Sequence, residues 1–385
     1  MTVQNKIEGT INLTSPMHCA SIDGSSDTTG DNNGTPTHKQ TILTATGARR
    51  IPYFPGNDLR GRLRRKAAAI VMDHITATGK VKIDLYAGLM AGAITASPES
   101  DVTVEETLRA RDNVYMGLFG GGTRLLRSRY RACDMVPIIQ DTIDVGIVPK
   151  IFGENGTPQG RLAEGVTGPL TGYHLVNSRT SFRIDDVGRV MDPSGVEKYI
   201  ENALTTVAEK QAVVLSDRAD RKSDKAAAAA GEIKAADIAG KKDLGNMFTV
   251  ETIISGTPLH CLIDMMNDVS DAHVGLMLLA LQALVREQAL GGLIRVGFGR
   301  YSADLTLTRN GQKYAVFVEG QNAGDAQLTP EVETAFCNKA REAIATLTAE
   351  SMMEFFVARA PTKEEKDAKA KAKKAKKEKA AEVEA

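Results

Sequence analysis

The chain has 385 residues, 42% of them hydrophobic and 25% charged, enough apolar content for one enlarged domain or two ordinary ones. Its 48 basic and 48 acidic residues cancel, which excludes a generally cationic nucleic-acid binder and leaves only local clusters to hold phosphate. Cys19, Cys133, Cys261 and Cys337 form no C-x-x-C pair, against a zinc ribbon or a secreted disulfide scaffold. With no leader pattern and no apolar run of membrane-spanning length, the expectation is a cytoplasmic protein with no cofactor.

Residues 7–13 alternate apolar and polar side chains, the pattern of a half-buried strand, closed by Ser15-Pro16 with His18 at its exit. Residues 23–39 are almost wholly small and polar and predict a long loop. Asp23, Asp27 and Asp31 recur in it, without the one-three-five spacing and closing glutamate of a calcium loop.

The segment from Arg49 to Ile70 carries seven basic side chains against one acid. Pro55, Gly56, Asn57 and Asp58 predict a turn feeding a helix from about Asp58. At 100° per residue Leu59, Leu63, Ala67 and Ile70 share one face, with Arg60 and Arg64 on one flank and Arg62 and Arg65 on the other. A helix start offers free N–H groups and a partial positive charge, so this arginine-fringed turn is expected to cradle phosphate.

Residues 85–96 are a small-residue apolar segment, and 100–111 a helix capped by Ser100 or Asp101. A glycine turn follows at Gly120, Gly121, Gly122 and Arg124; on a strand, Arg127, Arg129 and Arg131 would then line one face. The triple glycine admits a phosphate but lacks the lysine of a P-loop. Residues 151–172 read as an irregular excursion, 174–186 carry Arg179 and Arg183 among hydroxyl groups, and 196–214 are helical in pattern. Residues 217–242 hold too few large apolar side chains to own a core and predict a protruding insertion. Strands are expected at 247–254 and 259–265, a buried helix at 273–288, and a glycine-punctuated turn ending at Arg300. A hairpin over Asn310-Gly311 joins 303–308 to 313–318, residues 332–356 are helical, and a Lys/Ala/Glu tail starts at 363.

Five of these pieces, in this order, resemble the RAMP superfamily of CRISPR-associated proteins. They are Gly9 to His18, ending Ser-Pro-Met-His; Ile51 to Arg64; Leu118-Phe119-Gly120 before an arginine-bearing segment; Val250 to Pro258, ending Gly-Thr-Pro; and Leu290 to Arg300 with Gly-Phe-Gly-Arg. Within that superfamily the chain is most similar to the guide-RNA backbone subunits of effector complexes, particularly those of type IV. It departs from the pattern at Asn57-Asp58, where two hydroxyl residues are usual, and at Arg295-Val296, which break the late glycine run.

The resemblance implies an α+β, ferredoxin-like (RRM-type) antiparallel sheet with helices on one face. It implies a single domain over 1–362 with its core at about 1–80, 118–150 and 247–320, and a C-terminal helix at about 330–360. A finger-type insertion at about 81–117, thumb-type and helical insertions at about 151–246, and a charged tail at 363–385 complete it. The implied RNA-binding residues are His18, Gly56, Asn57, Arg60, Arg62, Arg64, Gly121, Gly122, Arg124, Arg127, Arg129, Arg179, Arg183 and Arg300. The implied partners are a CRISPR guide RNA held independently of sequence, the target nucleic acid through guide pairing, further copies in a head-to-tail filament, and other effector subunits. No membrane is implied and no catalysis is expected. The alternative is a metal-dependent target-RNA endonuclease, as in type III relatives, using Asp23, Asp27 or Asp31 in the loop before the Pro-Gly helix.

Overall fold

The protein is described by a computed structural model covering residues 5–21, 34–77, 79–92, 104–122, 126–154, 175–184, 245–321 and 323–356, with scattered positions between 202 and 216. Asp23, Asp27, Asp31, Arg124, the helix proposed at 196–214, the insertion at 217–242, both candidate caps at Ser100 and Asp101, and the tail lie outside the described residues or nearly so.

The chain divides into two compact units, one of residues 1–21, 37–176 and 252–385, the other of 22–36 and 177–251. In the first, the strands are β1 (Asn5–Leu13), β5 (Tyr130–Ala132), β6 (Val136–Pro137), β9 (Pro258–Met265), β10 (Tyr301–Arg309) and β11 (Gln312–Ala315). They form one sheet in the order β11–β10–β1–β9–β5, β6 also pairing with β9, and every pair is antiparallel. Helix α1 (Gly56–Ile75) connects β1 to β5, and α7 (Asp271–Glu287) connects β9 to β10. Two interleaved strand–helix–strand halves in that order are the ferredoxin-like arrangement.

The pleat explains which face is covered. On β1, Ile7, Ile11 and Leu13 are buried, and Leu259, Cys261 and Ile263 on β9 and Tyr301, Leu305 and Leu307 on β10 continue that side. Against it pack α1 through Leu59, Leu63, Ala67 and Val71, and α7 through Val274, Met277, Leu278 and Leu281, all in one cluster. The expected strand at 7–13 and buried helix at 273–288 are therefore both present and slightly extended. The hairpin is present too, with Asn310 and Gly311 at φ of 52° and 82°. The helical stretch expected over 332–356 is interrupted instead. A π-turn at Glu333–Cys337 runs on into a helix at Asn338–Ala345, and after a break at 346–348 the chain restarts at Ala349–Met353, where Thr348 accepts from the Ser351 N–H at 3.1 Å.

A hairpin that the sequence reading did not anticipate, β3 (Lys39–Thr44) with β4 (Gly47–Pro52), leads straight into α1. Its Ile42 and Ile51 join Val136, Ile138, Ile139, Ile143 and Val148 in a small separate core. Between α1 and β5 lie α2 (Ile83–Ala91), α3 (Val104–Asp112) and α4 (Met116–Phe119); α5 (Gln140–Asp144) and α6 (Ile151–Glu154) follow β6. In the second unit β2 (Gly34–Thr35), β8 (Gly245–Ile253) and β7 (Val176–Ile184) form a three-stranded sheet in that order, β2 parallel to β8. Among the described residues, no helix is long and apolar enough to cross a membrane.

Candidate nucleic-acid interface

Helix α1 is the element on which the scattered motifs meet. Its apolar stripe fixes its rotation on the sheet, and the rotation sends its arginines to two sides. On one side Arg62 donates through Nη1 to the Ala289 carbonyl at 3.0 Å and through Nη2 to the Gly291 carbonyl at 2.6 Å. On the other, Arg64 donates to the carbonyls of Gly120, at 3.1 Å, and Phe119, and its guanidinium lies 5.9 Å from the Phe119 ring centre. Arg60 lies on the same side, donating to Ser128 Oγ at 3.2 Å and to Asn57 Oδ1 at 3.4 Å, 5.9 Å from the Tyr130 ring centre. The two-flank arrangement expected from helical spacing is thus observed for all three. Arg65 is exposed, and its guanidinium folds back beside Gly61.

The turn before α1 is not an open phosphate cradle. The helix starts at Gly56 after Pro55, with no side-chain cap from Asn57 or Asp58. The Gly56 N–H donates to Asp134 Oδ1 at 2.7 Å, so a protein carboxylate already occupies the helix start. Gly56 is buried, and a Cβ there would sit 2.4 Å from the Ala132 carbonyl oxygen. Asp58 accepts a hydrogen bond from the Cys19 thiol at 3.6 Å. Burial, and then this carboxylate, push the thiol up to about 12.

The triple glycine is likewise spent inside the protein. Gly120 N–H donates to Met116, Gly121 to Leu126 and Gly122 to Gly92, at 2.8, 2.8 and 3.0 Å. All three have positive φ, of 66°, 102° and 73°, and a Cβ on Gly121 would stand 2.4 Å from the Gly92 carbonyl. The glycines let this turn pass close against the end of α2, and none of their N–H groups is left for an anion.

The three arginines that follow do not line one strand face, because the strand begins only at Tyr130. Arg127 and Arg131 are exposed, whereas Arg129 is buried. Its Nε donates to Gly117 at 2.6 Å, Nη1 to the Asp268 carbonyl and carboxylate at 3.1 and 3.3 Å, and Nη2 to Arg111 at 2.7 Å. Nη2 also stands 3.0 Å from His273 Nε2. Burial, and next the Arg129 charge, lower the His273 pKa to about 4. Arg129 is an internal staple, and the expectation that it faces RNA is corrected on that ground.

On the Arg62 side the first and last motifs are laced together. Gly292 N–H donates to His18 at 2.7 Å, Gly299 N–H to Pro16 at 2.8 Å, and Arg300 N–H to Ser15 Oγ at 2.8 Å. His18 is buried in this lacing, while the Arg300 side chain is exposed. The Gly-Thr-Pro motif joins the same end: Leu13 N–H donates to Thr257 at 3.1 Å and Met17 N–H to Ile253 at 2.9 Å. Arg179 is exposed on β7 in the second unit, and Arg183 follows on the same strand with its side chain outside the described residues.

Asn57, Arg65, Arg127 and Arg300 are exposed and Arg60 is half-buried; Arg60 lies with Asn57 and Ser128 on one flank of α1, and Arg300 follows the loop that Arg62 holds on the other. Residues that sequence reasoning missed include Asp134, Ser128 and Tyr130. Asp134 carries no local signal, because it meets Gly56 only through the sheet. For the hairpin at 39–52 the local signal is Gly47 at the turn, with a φ of 119°. Among the described residues no three His, Cys, Asp or Glu side chains gather closely enough to hold a metal ion.

The fold and site define an α+β, ferredoxin-like protein whose arginine-fringed helix clasps two glycine-rich turns. No family model matches the sequence, and no curated protein matches it. Among solved structures, a chain of a "Type IV-B CRISPR Complex" is similar over 84% of this chain and 97% of that one, at 14% identity and a TM-score of 0.46.

Proposed function

We propose that the protein is a guide-RNA-binding backbone subunit of a type IV-like CRISPR effector ribonucleoprotein, and that it acts by binding rather than catalysis. The observation that carries this reading is the convergence on α1. All five segments whose sequence resembles the RAMP pattern meet around that helix or at the β1 exit beside it, joined by Arg62, Arg64 and the lacing at Ser15–His18. A clasp built mainly from main-chain carbonyls holds shape without reading sequence. The rim above it, Asn57, Arg60, Arg65, Arg127 and Arg300, is the phosphate-binding surface.

The opposite face of the sheet supports backbone rather than base recognition. Base stacking on an RRM-type sheet needs exposed aromatic rings on its central strands. Here the outward positions are Lys6, Glu8 and Thr10 on β1 and His260, Leu262 and Asp264 on β9, and Phe152 packs edge-on against His260 at 4.9 Å. Successive copies would then follow one guide by a repeated heterologous contact, with other effector subunits at the ends.

Filter binding of single-stranded RNAs of unrelated sequence tests the reading. The protein should bind them alike, with steep salt dependence. Arg60→Ala/Arg127→Ala should weaken binding about tenfold or more and reduce the salt slope by about 1.4, roughly 0.7 per lost phosphate contact on a single strand. Unchanged affinity and slope in that variant would overturn the assignment.

A further inference from the structure

The open face of the main sheet carries a groove that neither the core nor the rim around α1 uses. Toward β9 and β5 the charges on this face are paired with one another: Lys6 with Glu8 at 2.6 Å, Glu8 with His260 at 3.2 Å, and Arg131 with Asp264. Over β10 and β11 the pattern changes. Asp304 and Lys313 are exposed and have no ion-pair partner among the described residues.

Strand register places these two charges at opposite ends of the groove. Lys6, Thr308 and Lys313 form one row across β1, β10 and β11. Four residues further along β10, about 13 Å at the usual rise, Asp304 stands opposite Thr10. Between the ends lies a concavity of about 440 Å³, walled on one side by Ile151 and Phe152. One unpaired lysine, Lys313, beside the Thr308 hydroxyl favours an anion, a lone carboxylate favours a hydrogen-bond donor, and the wall favours a flat apolar body between them.

We propose that this groove binds a free nucleoside monophosphate bearing an exocyclic amine, as in adenosine or cytidine monophosphate. The phosphate sits over Thr308 and Lys313, the base lies against Ile151 and Phe152, and the amine donates to Asp304. A polynucleotide is disfavoured, because a continuing chain would carry further phosphates past Glu8 and Asp304. The groove lies on the sheet face away from α1, so the site is separate from the proposed RNA surface.

Calorimetric titration of the full chain with AMP tests the proposal, with IMP, adenosine and inorganic phosphate as further arms. AMP should bind saturably. IMP, which has a carbonyl in place of the amine, and Asp304→Asn should each weaken binding about tenfold, and Lys313→Glu by more, as expected for loss of a charge-assisted contact. Both residues are exposed, so thermal melts should show the variants folded. Absence of saturable AMP binding up to millimolar concentration, unchanged affinity in both variants, or inorganic phosphate binding as tightly as AMP would each overturn it. Arg60→Ala/Arg127→Ala should bind AMP like the parent chain, which separates failure of this proposal from failure of the RNA assignment.

Discussion

The two flanks of α1 use the same residue type to do different mechanical work. On the Arg62 side the guanidinium grips two carbonyls of a loop that is otherwise laced to the β1 exit by main-chain bonds. On the Arg60/Arg64 side the guanidinium groups lie over Tyr130 and Phe119, rings buried in the core, and Arg129 sits buried at the same segment. The first flank is a clasp on a loop; the second is a platform tied to the core. Arg127 is exposed, and Arg60 is half-buried and already held by Ser128 and Asn57. An arginine pre-positioned on the platform loses less freedom when it meets a phosphate, so these two are better placed than Arg300 to dominate affinity.

The sharpest way to break that contrast is to remove the staple under the platform. Arg129→Ala would leave the carbonyls of Gly117, Arg111 and Asp268 and the Asp268 carboxylate without their donor. A loss of about 3 kcal/mol or more is expected from the stranded carbonyls and the space left by a buried side chain, the Asp268 carboxylate being mostly exposed, and is read as a lower urea midpoint. A midpoint within error of the parent would show that the platform does not depend on Arg129.

Next in size is a pH effect at the same place. His273, beside Arg129, has its pKa lowered to about 4 by burial and then by the Arg129 charge, against 6.5 in the unfolded chain. The unfolded state therefore binds more protons between those values. Stability is full above about pH 6.5 and is lost as pH falls toward 4, by about 3 kcal/mol at most. Urea melts from pH 7 to 4.5 should show that fall, and His273→Asn should flatten it. An equal slope in the variant would place the titration elsewhere.

How much of this was legible beforehand follows from the range of the forces involved. The half-buried strand, the buried helix of residues 271–287, the Asn310-Gly311 hairpin and the flank positions of Arg60, Arg62 and Arg64 are consequences of local periodicity, and the sequence carries periodicity directly. What each arginine touches is not local. Arg129 reads as a member of an alternating exposed series, yet it turns inward because the strand starts one residue later and acceptors from three distant segments converge on it. In the sequence the glycine turn and the helix start read as anion sites because their N–H groups are free in isolation. Gly92, Met116, Leu126 and Asp134 fill them only once the chain has folded.

The smallest expected effect distinguishes the two flanks directly. Arg62→Ala and Arg64→Ala each delete two bonds to main-chain carbonyls from a half-buried guanidinium, so about 1–2 kcal/mol of stability is expected from each. Their local signatures should differ. In Arg62→Ala, amide hydrogen exchange should quicken at Gly292 and Gly299, whose N–H groups lace the late loop to His18 and Pro16, while Gly120 to Gly122 stay protected. Arg64→Ala should show the reverse, with a smaller change, because the neighbouring Phe119 and Tyr130 rings remain packed edge-on at 5.3 Å and still hold the turn. Equal loosening of both loops in either variant would mean that α1 transmits strain between its flanks, and the clasp and the platform would then be one mechanical unit.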